Sequence, residues 1–352
     1  MVLLVVMGLL LGGCGSPAGG SGSSLAASAR AFLSTYVNST GAVIRRDQGG
    51  DVVSEGQAYG MLIAELAGRP AEVRRIWSWT STHLLLPNGL LAYHATAAGV
   101  LLSHQAATDA DTLAAYALLR YRGPQAGALH AAGLRLAAAV LRGETVPGLS
   151  GTPVPTAGPW ANGIPTILDP SYWMPSIYLG LARFTRDDTW NQMAAEVIRL
   201  TDQLTAGGRA LPPNWAELDG GAVRAIPGPS GGSPIEYGLD AARVPIFMAA
   251  SCFASARSLA QAWWTRFFKD DPARARAIAV SPTGAVIDAQ TNPLPYIAAA
   301  ATATAAGDHA AAARLIDEAR SEGRRYPTYY GSAWLVLGPA LLTGRLGGCP
   351  ST

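Results

Sequence analysis

The chain has 352 residues, of which 49% are hydrophobic and 14% charged, with a formal net charge of +2 at neutral pH. Lys269 is the single lysine and the basic residues gather no further than pairs such as Arg45-Arg46 and Arg324-Arg325, which excludes a nucleic-acid partner that needs a basic stretch. His83, His94, His104, His130 and His309 are scattered without ligand spacing, so neither a metal nor another cofactor is expected.

In chain order, Val2 to Leu11 is an apolar run too short to span a bilayer comfortably, and it ends in LGGC. Residues 1–14 therefore read as an export signal whose end resembles a lipoprotein processing site, making Cys14 the lipidated first residue of the mature chain. No Lys or Arg precedes Arg30, a departure from the usual positive start, and the plainer alternative is a secretory signal cleaved a few residues later. Both readings export the protein to the periplasmic or extracellular side, touching the membrane only through a lipid at Cys14. The Ser/Gly-rich residues 15–27 serve as a flexible tether, residues 28–345 form one domain, and 346–352 are a tail.

Helical periodicity or composition marks residues 25–40, 56–67, 72–85, 109–120, 126–142, 173–185, 188–205, 240–254, 256–267, 293–305, 308–322 and 330–342. A dozen helices with no alternating strand set argue for an all-α domain of repeated hairpins, and their Ala and Leu content suits close packing in a layered toroid. Residues 144–170 and 206–235 hold too much Pro and Gly for continuous helix. They carry Trp160 and Trp215, read either as walls of a cleft or as tryptophans packed beneath their own loops. Trp263-Trp264 fall in an amphipathic stretch and read as core. Cys252 falls in an expected helix as a small buried side chain, and a bridge to Cys349 is one option among several.

Against this background a few acids stand among small and apolar neighbours: Glu55 in SEGQAYGM, Asp109 and Asp111 in ATDADTLAAYALL, and Asp240 in EYGLDAARVP. Cleavage of a glycosidic bond by general acid and base needs carboxyl groups whose surroundings push their pKa values apart. Ser54 is placed to cap the helix that carries Glu55, a position that favours the ionised form, so a catalytic acid there needs burial or a neighbouring carboxylate. Arg243, three residues after Asp240, shares its face if both are helical and would hold that carboxylate ionised and oriented. Asp111, two residues after Asp109, faces elsewhere on a helix; it reads as a substrate contact or as a structural acid behind the first.

Four segments in order carry a resemblance to glycoside hydrolase family 8. VSEGQAYGM is similar to the family's proton-donor segment. IWSWTSTHLLLPNGLLAYH, residues 76–94, is similar to its tryptophan-rich substrate segment, and ATDADTLAAYALL, residues 107–119, to its signature. YGLDAARVP, residues 237–245, resembles the segment holding the general base. The resemblance implies an (α/α)6 barrel, a toroid of six helical hairpins, with Glu55 as general acid and Asp240 as the general base of an inverting reaction. The two should stand about 6.5–9.5 Å apart. It implies that Asp109 binds hydroxyls of the sugar at the cleavage point and that Tyr172, in PSYWMP, lies near the attacking water. Trp79 and Trp77 are implied stacking platforms, Tyr93 stands where the family often has tryptophan, and Tyr329 and Tyr330 resemble an aromatic pair near the positive subsites. Leu239 departs from an aromatic usual before the base, and Glu236 is a secondary candidate for that role.

The implied activity is that of an inverting endo-β-1,4-glucanase, a cellulase, acting as a monomer on β-1,4-linked polysaccharide. The form most resembles the periplasmic endoglucanases that accompany bacterial cellulose synthesis, with synthesis machinery as a partner. Chitosan and xylan are alternative substrates; chitosan would call for extra carboxylates, for which Glu217, Asp219 and Glu236 are available. A non-catalytic lipoprotein that binds exopolysaccharide is the alternative outside hydrolysis.

Overall fold

Helices of two kinds alternate along the chain in the computed structural model, which describes residues 20–349 except Ser233, with side chains from residue 25. They are α1 (Gly20–Tyr36), α2 (Ser54–Leu66), α3 (Pro70–His83), α4 (Thr108–Arg120), α5 (Ala126–Gly143), α6 (Pro175–Thr185), α7 (Thr189–Leu204), α8 (Arg243–Ala249), α9 (Ala254–Trp263), the short α10 (Pro272–Arg276), α11 (Pro293–Ala305), α12 (His309–Arg325) and α13 (Tyr329–Leu342). In the first kind almost every face is covered: all residues of α4 from Thr108 to Leu119 are buried, and α2 is buried continuously from Gly56 to Ala64. The second kind buries one stripe, as α7 does with Trp190, Met193, Val197 and Leu200 and α12 with Ala311, Ala312 and Ala319. A helix apolar all round belongs inside, and an amphipathic one belongs between core and solvent.

The packing follows that division. α2 packs on α4, α4 on α6, α6 on α8, α8 on α11, α11 on α13, and α13 back on α2, closing a ring of six inner helices. Each has an outer partner: α3, α5, α7, α9, α12 and α1 respectively pack on α2, α4, α6, α8, α11 and α13. Six hairpins in two concentric layers make an (α/α)6 barrel. Small residues let the inner helices approach: a Cβ on Gly180 of α6 would lie 2.4 Å from the Tyr116 ring of α4. Trp263 and Trp264 are core, as their setting implied.

Ten short strands among the described residues, absent from the sequence reading, dress the barrel. They are β1 (Asp51–Val53), β2 (His94–Thr96), β3 (Leu101–Ser103), β4 (Thr145–Pro147), β5 (Pro153–Pro155), β6 (Thr166–Leu168), β7 (Trp215–Asp219), β8 (Ala222–Ile226), β9 (Ala277–Val280) and β10 (Val286–Thr291). The two Pro/Gly-rich stretches meet in one antiparallel sheet ordered β6-β7-β8, with Thr166 opposite Leu218. Trp160 is 40% exposed on the first stretch, and Trp215 is half-buried on the second.

Both ends of the domain differ from expectation. α1 starts at Gly20, so the stretch read as a tether over 15–27 is helical in its second half. The tail read over 346–352 is part of the domain as far as Cys349: Leu346 is buried in the core, the Gly347 N–H donates to the Tyr116 hydroxyl at 3.1 Å, and Cys349 is disulfide-bonded to Cys252. Cys252 lies in the turn between α8 and α9, outside any helix. The export signal and Cys14 lie outside the described residues. Among the described residues no helix is long and apolar enough to cross a membrane.

Candidate active site

Because every inner helix is entered from an outer one that returns the chain, the inner helices run in one direction and their N-terminal ends share a rim. Glu55 is the second residue of α2, Asp109 the second of α4, Arg243 the first of α8, and Tyr329 and Tyr330 the first two of α13. Tyr172 lies in a short turn just ahead of α6, and Asp240 lies in the turn just ahead of α8. Residues far apart in sequence are thereby delivered to one place.

Arg243 is the hub. It is 2% exposed, and a buried guanidinium is tolerated only when its donors are met. Nη1 donates to Asp109 Oδ2 at 2.8 Å, Glu55 Oε1 at 3.0 Å and the Tyr59 hydroxyl at 3.2 Å; Nη2 donates to Ser171 Oγ at 2.6 Å and Asp240 Oδ1 at 3.4 Å. Its Cζ sits 5.4 Å from the centroid of the Tyr172 ring. The fork thus faces three carboxyl groups. The expected pairing with Asp240 exists, but the shorter bonds go to Asp109 and Glu55.

The three acids occupy different surroundings. Burial is the main force pushing the Glu55 carboxyl up to about 7; Arg243 opposes it, Asp109 raises it further, the Tyr59 hydroxyl donating at 2.9 Å lowers it, and Asp240 raises it. Asp109 is 3% exposed, and burial likewise raises its pKa against Arg243 and the Ala110 N–H at 2.8 Å. The Asp240 side chain is 46% exposed and open to water. Its turn is pinned by Asn214, whose Oδ1 accepts the Gly238 and Ala241 N–H groups, each at 3.0 Å. Since Glu55 and Asp240 contact different nitrogens of one guanidinium, their nearest oxygens are no more than about 9 Å apart.

Aromatic residues divide likewise. Tyr330 brings its hydroxyl, buried and without a hydrogen-bond partner, into the field of Arg243, Glu55 and Asp240. Tyr93 is 40% exposed and lies 5.2 Å, ring to ring, from His94. Its carbonyl accepts the Ser54 N–H at 3.0 Å, which ties it to the residue before Glu55.

Several sequence expectations are corrected. Trp79 is 5% exposed and packs on His83 at 4.7 Å, and Trp77 is half-buried against the core, so the covered indole of Trp79 offers no sugar platform. Tyr329 is buried against Phe32 and Tyr36; a Cβ on Gly56 would lie 2.6 Å from its hydroxyl, which is why glycine follows Glu55. Asp111 is fully buried and cannot touch substrate. Ser54 does not cap α2, since the cap position is Val53 and the Ser54 hydroxyl is buried unpaired. Glu217 and Asp219 both pair with the exposed Arg224, at 2.8 and 3.2 Å. Glu236 accepts from Asn214 Nδ2 at 3.1 Å beside Asp240.

Sequence reasoning passed over Ser171, Asp169 and Asn214. Asp169, 2% exposed, accepts from the Ser171 N–H and hydroxyl at 2.8 and 2.5 Å and so holds the hydroxyl that receives Arg243. The signal was the DPS turn, an acid one residue ahead of a proline that starts a short helical turn.

A buried acid and an exposed one on a single guanidinium, at the rim of an (α/α)6 barrel, is an arrangement suited to glycoside hydrolysis. The comparisons agree, and the chain belongs to the glycosyl hydrolases family 8, whose family model matches residues 21–343. A probable endoglucanase from Novacetimonas hansenii is 30% identical over 263 residues, covering 69% of this chain and 72% of that protein. The structure of the endo-β-1,4-glucanase CMCax from Acetobacter xylinum superposes with a TM-score of 0.74 at 26% identity, covering 92% of this chain and 99% of that one. A β-1,3-1,4-glucanase from Paenibacillus sp. X4 shares the fold with a TM-score of 0.80 at 17% identity, covering 92% of each chain.

Proposed function

We propose that this chain is an inverting endo-β-1,4-glucanase in which Glu55 protonates the departing glycosidic oxygen and Asp240 activates water on the opposite face of the sugar. The observation that carries the reading is the pair of unlike carboxyl groups on one buried guanidinium. Burial and neighbouring acids keep a proton on Glu55 near neutral pH, while solvent reaches Asp240, where a water must enter. At no more than about 9 Å apart, the two can serve a single bond. Asp109 accepts the Ala110 N–H on one oxygen and Arg243 on the other, on the guanidinium nitrogen that also holds Glu55, and we assign it to the hydroxyls of the sugar being cleaved. Tyr172 and Tyr330 border the water's position, and Tyr93 offers an exposed ring for stacking.

The likeness to endoglucanases supports a β-1,4-glucan over chitosan or xylan. The LGGC sequence supports export with a lipid on Cys14, which would hold a monomeric enzyme beside glucan emerging from synthesis machinery.

The test is release of reducing ends from carboxymethyl cellulose, chitosan and xylan between pH 4 and 8, with the anomeric form of the product read by NMR. Hydrolysis of the cellulose derivative with inversion is expected, declining as pH rises through about 7, where Glu55 loses its proton. Glu55→Gln and Asp240→Asn should both be silent while still binding cello-oligosaccharide. Activity confined to chitosan or xylan would overturn the substrate, and normal turnover in either variant would overturn the roles.

A further inference from the structure

Behind Asp109, on the side away from the cleft, two more acids meet. Asp111 of α4 and Glu144, the residue that ends α5, are both fully buried. Their carboxyl groups lie within hydrogen-bond reach of one another. Asp111 Oδ1 accepts the Leu91 N–H at 2.9 Å, but Asp111 Oδ2 and both Glu144 oxygens are enclosed and meet no hydrogen-bond donor. The Thr108 hydroxyl, the other polar group beside Glu144, is itself buried without a hydrogen-bond partner, and the further charged group acting on the pair is Asp109, of the same sign. No cation among the described residues compensates them. Two ionised carboxylates in contact inside a protein repel and have lost their water, whereas a proton between them makes one a donor and the other an acceptor.

We propose that Asp111 and Glu144 share a proton and act as a positioning pair that fixes the start of α4, and with it Asp109, against the loops on either side. Each partner reaches a different wall of the site. Asp111 holds the Leu84–Tyr93 hairpin through Leu91, and the Tyr93 carbonyl receives the N–H of Ser54 beside Glu55. The Glu144 carbonyl accepts the Thr156 N–H at 2.9 Å, and the next residue, Ala157, accepts the N–H of Thr108 at 3.4 Å, one position ahead of Asp109. Burial holds both carboxyls well above the usual carboxylate range, in keeping with a retained proton.

Glu144→Gln tests this, because the amide donates to Asp111 without needing a proton from solvent, while Glu144→Leu can neither donate nor accept. In the wild type the pair is protonated when folded and ionises when unfolded, so stability falls as pH rises above the ordinary carboxylate range. The melting temperature of Glu144→Gln should therefore decline less than the wild type's between pH 5 and 9. This readout needs no substrate and stands apart from the proposed activity. On carboxymethyl cellulose, an arm that rests on the proposed glucanase reading, Glu144→Gln should keep kcat within about threefold and Glu144→Leu should lose about tenfold or more at little change in KM. If the Leu variant does not fold, the comparison of the Gln variant with wild type still decides. Melting curves for wild type and Glu144→Gln that share one pH dependence, or a Leu variant as active as the Gln variant, would overturn the proposal.

Discussion

Replacing Glu55 by glutamine should stabilise the protein while silencing it, and the size of the gain follows from the site. In the fold the carboxyl is held at about 7 against an ordinary value of 4.5. That gap is a penalty of order 3 kcal/mol on the ionised form in the folded state relative to the unfolded one. The folded value is the raised one, so below about pH 4.5 the group is neutral in both states and costs nothing. As pH climbs from there towards 7 the unfolded chain ionises first and stability drops; above 7 the penalty is complete and level. Glutamine keeps the shape of the neutral acid and never ionises. The variant should match wild type at pH 4 and exceed it by about 3 kcal/mol at pH 8, roughly 4 °C in melting temperature for a folded unit of about 325 residues. Calorimetry or urea titration across pH 4 to 8 reads the difference directly. Parallel stability curves, or a variant weaker than wild type at pH 8, would refute the claim that burial strains this acid, and with it the reason for assigning it the proton.

Arg243→Lys keeps a positive charge but replaces a fork by a point, so it cannot serve Glu55 and Asp109 from one nitrogen and Ser171 and Asp240 from another; kcat should fall by about a hundredfold or more, with steady-state kinetics as the check. Cys252→Ser opens a loop of 97 residues and should cost about 2–5 kcal/mol in a urea titration, an effect reproduced by adding reductant to wild type.

What the sequence revealed and what it hid have separate causes. The inner helices were visible because a segment such as ATDADTLAAYALL is small and apolar on every face, and the acid inside it had no surface to occupy. Asp240 and Arg243 were legible as a pair because the spacing of three is local. Trp79 was misplaced because a helical tryptophan facing the core and one facing a cleft look alike along the chain; only the packing of α3 on α2 separates them. Ser171 and Asn214 were hidden because Arg243 lies 72 residues from the first and the partners of the second lie 22 or more residues away, separations that no local pattern records. The strands were missed because elements of three to six residues are too short for alternation to emerge. Glu144 passed unnoticed because, in RGETVP, it reads as a solvated turn acid.

The ring closes between α13 and α2, with Trp334 set edge-on against Tyr59 at 5.8 Å and Tyr329 against Gly56. The helix bearing the acid, which starts at Ser54, has as one neighbour a helix that starts at Tyr329 and is therefore made much later in synthesis. Until α13 emerges, the growing polypeptide shows the bare apolar flank of α2 and is prone to clump. A message cut short before Tyr329 would yield a ring left open between α11 and α2, and closure of the barrel should occur as one late event.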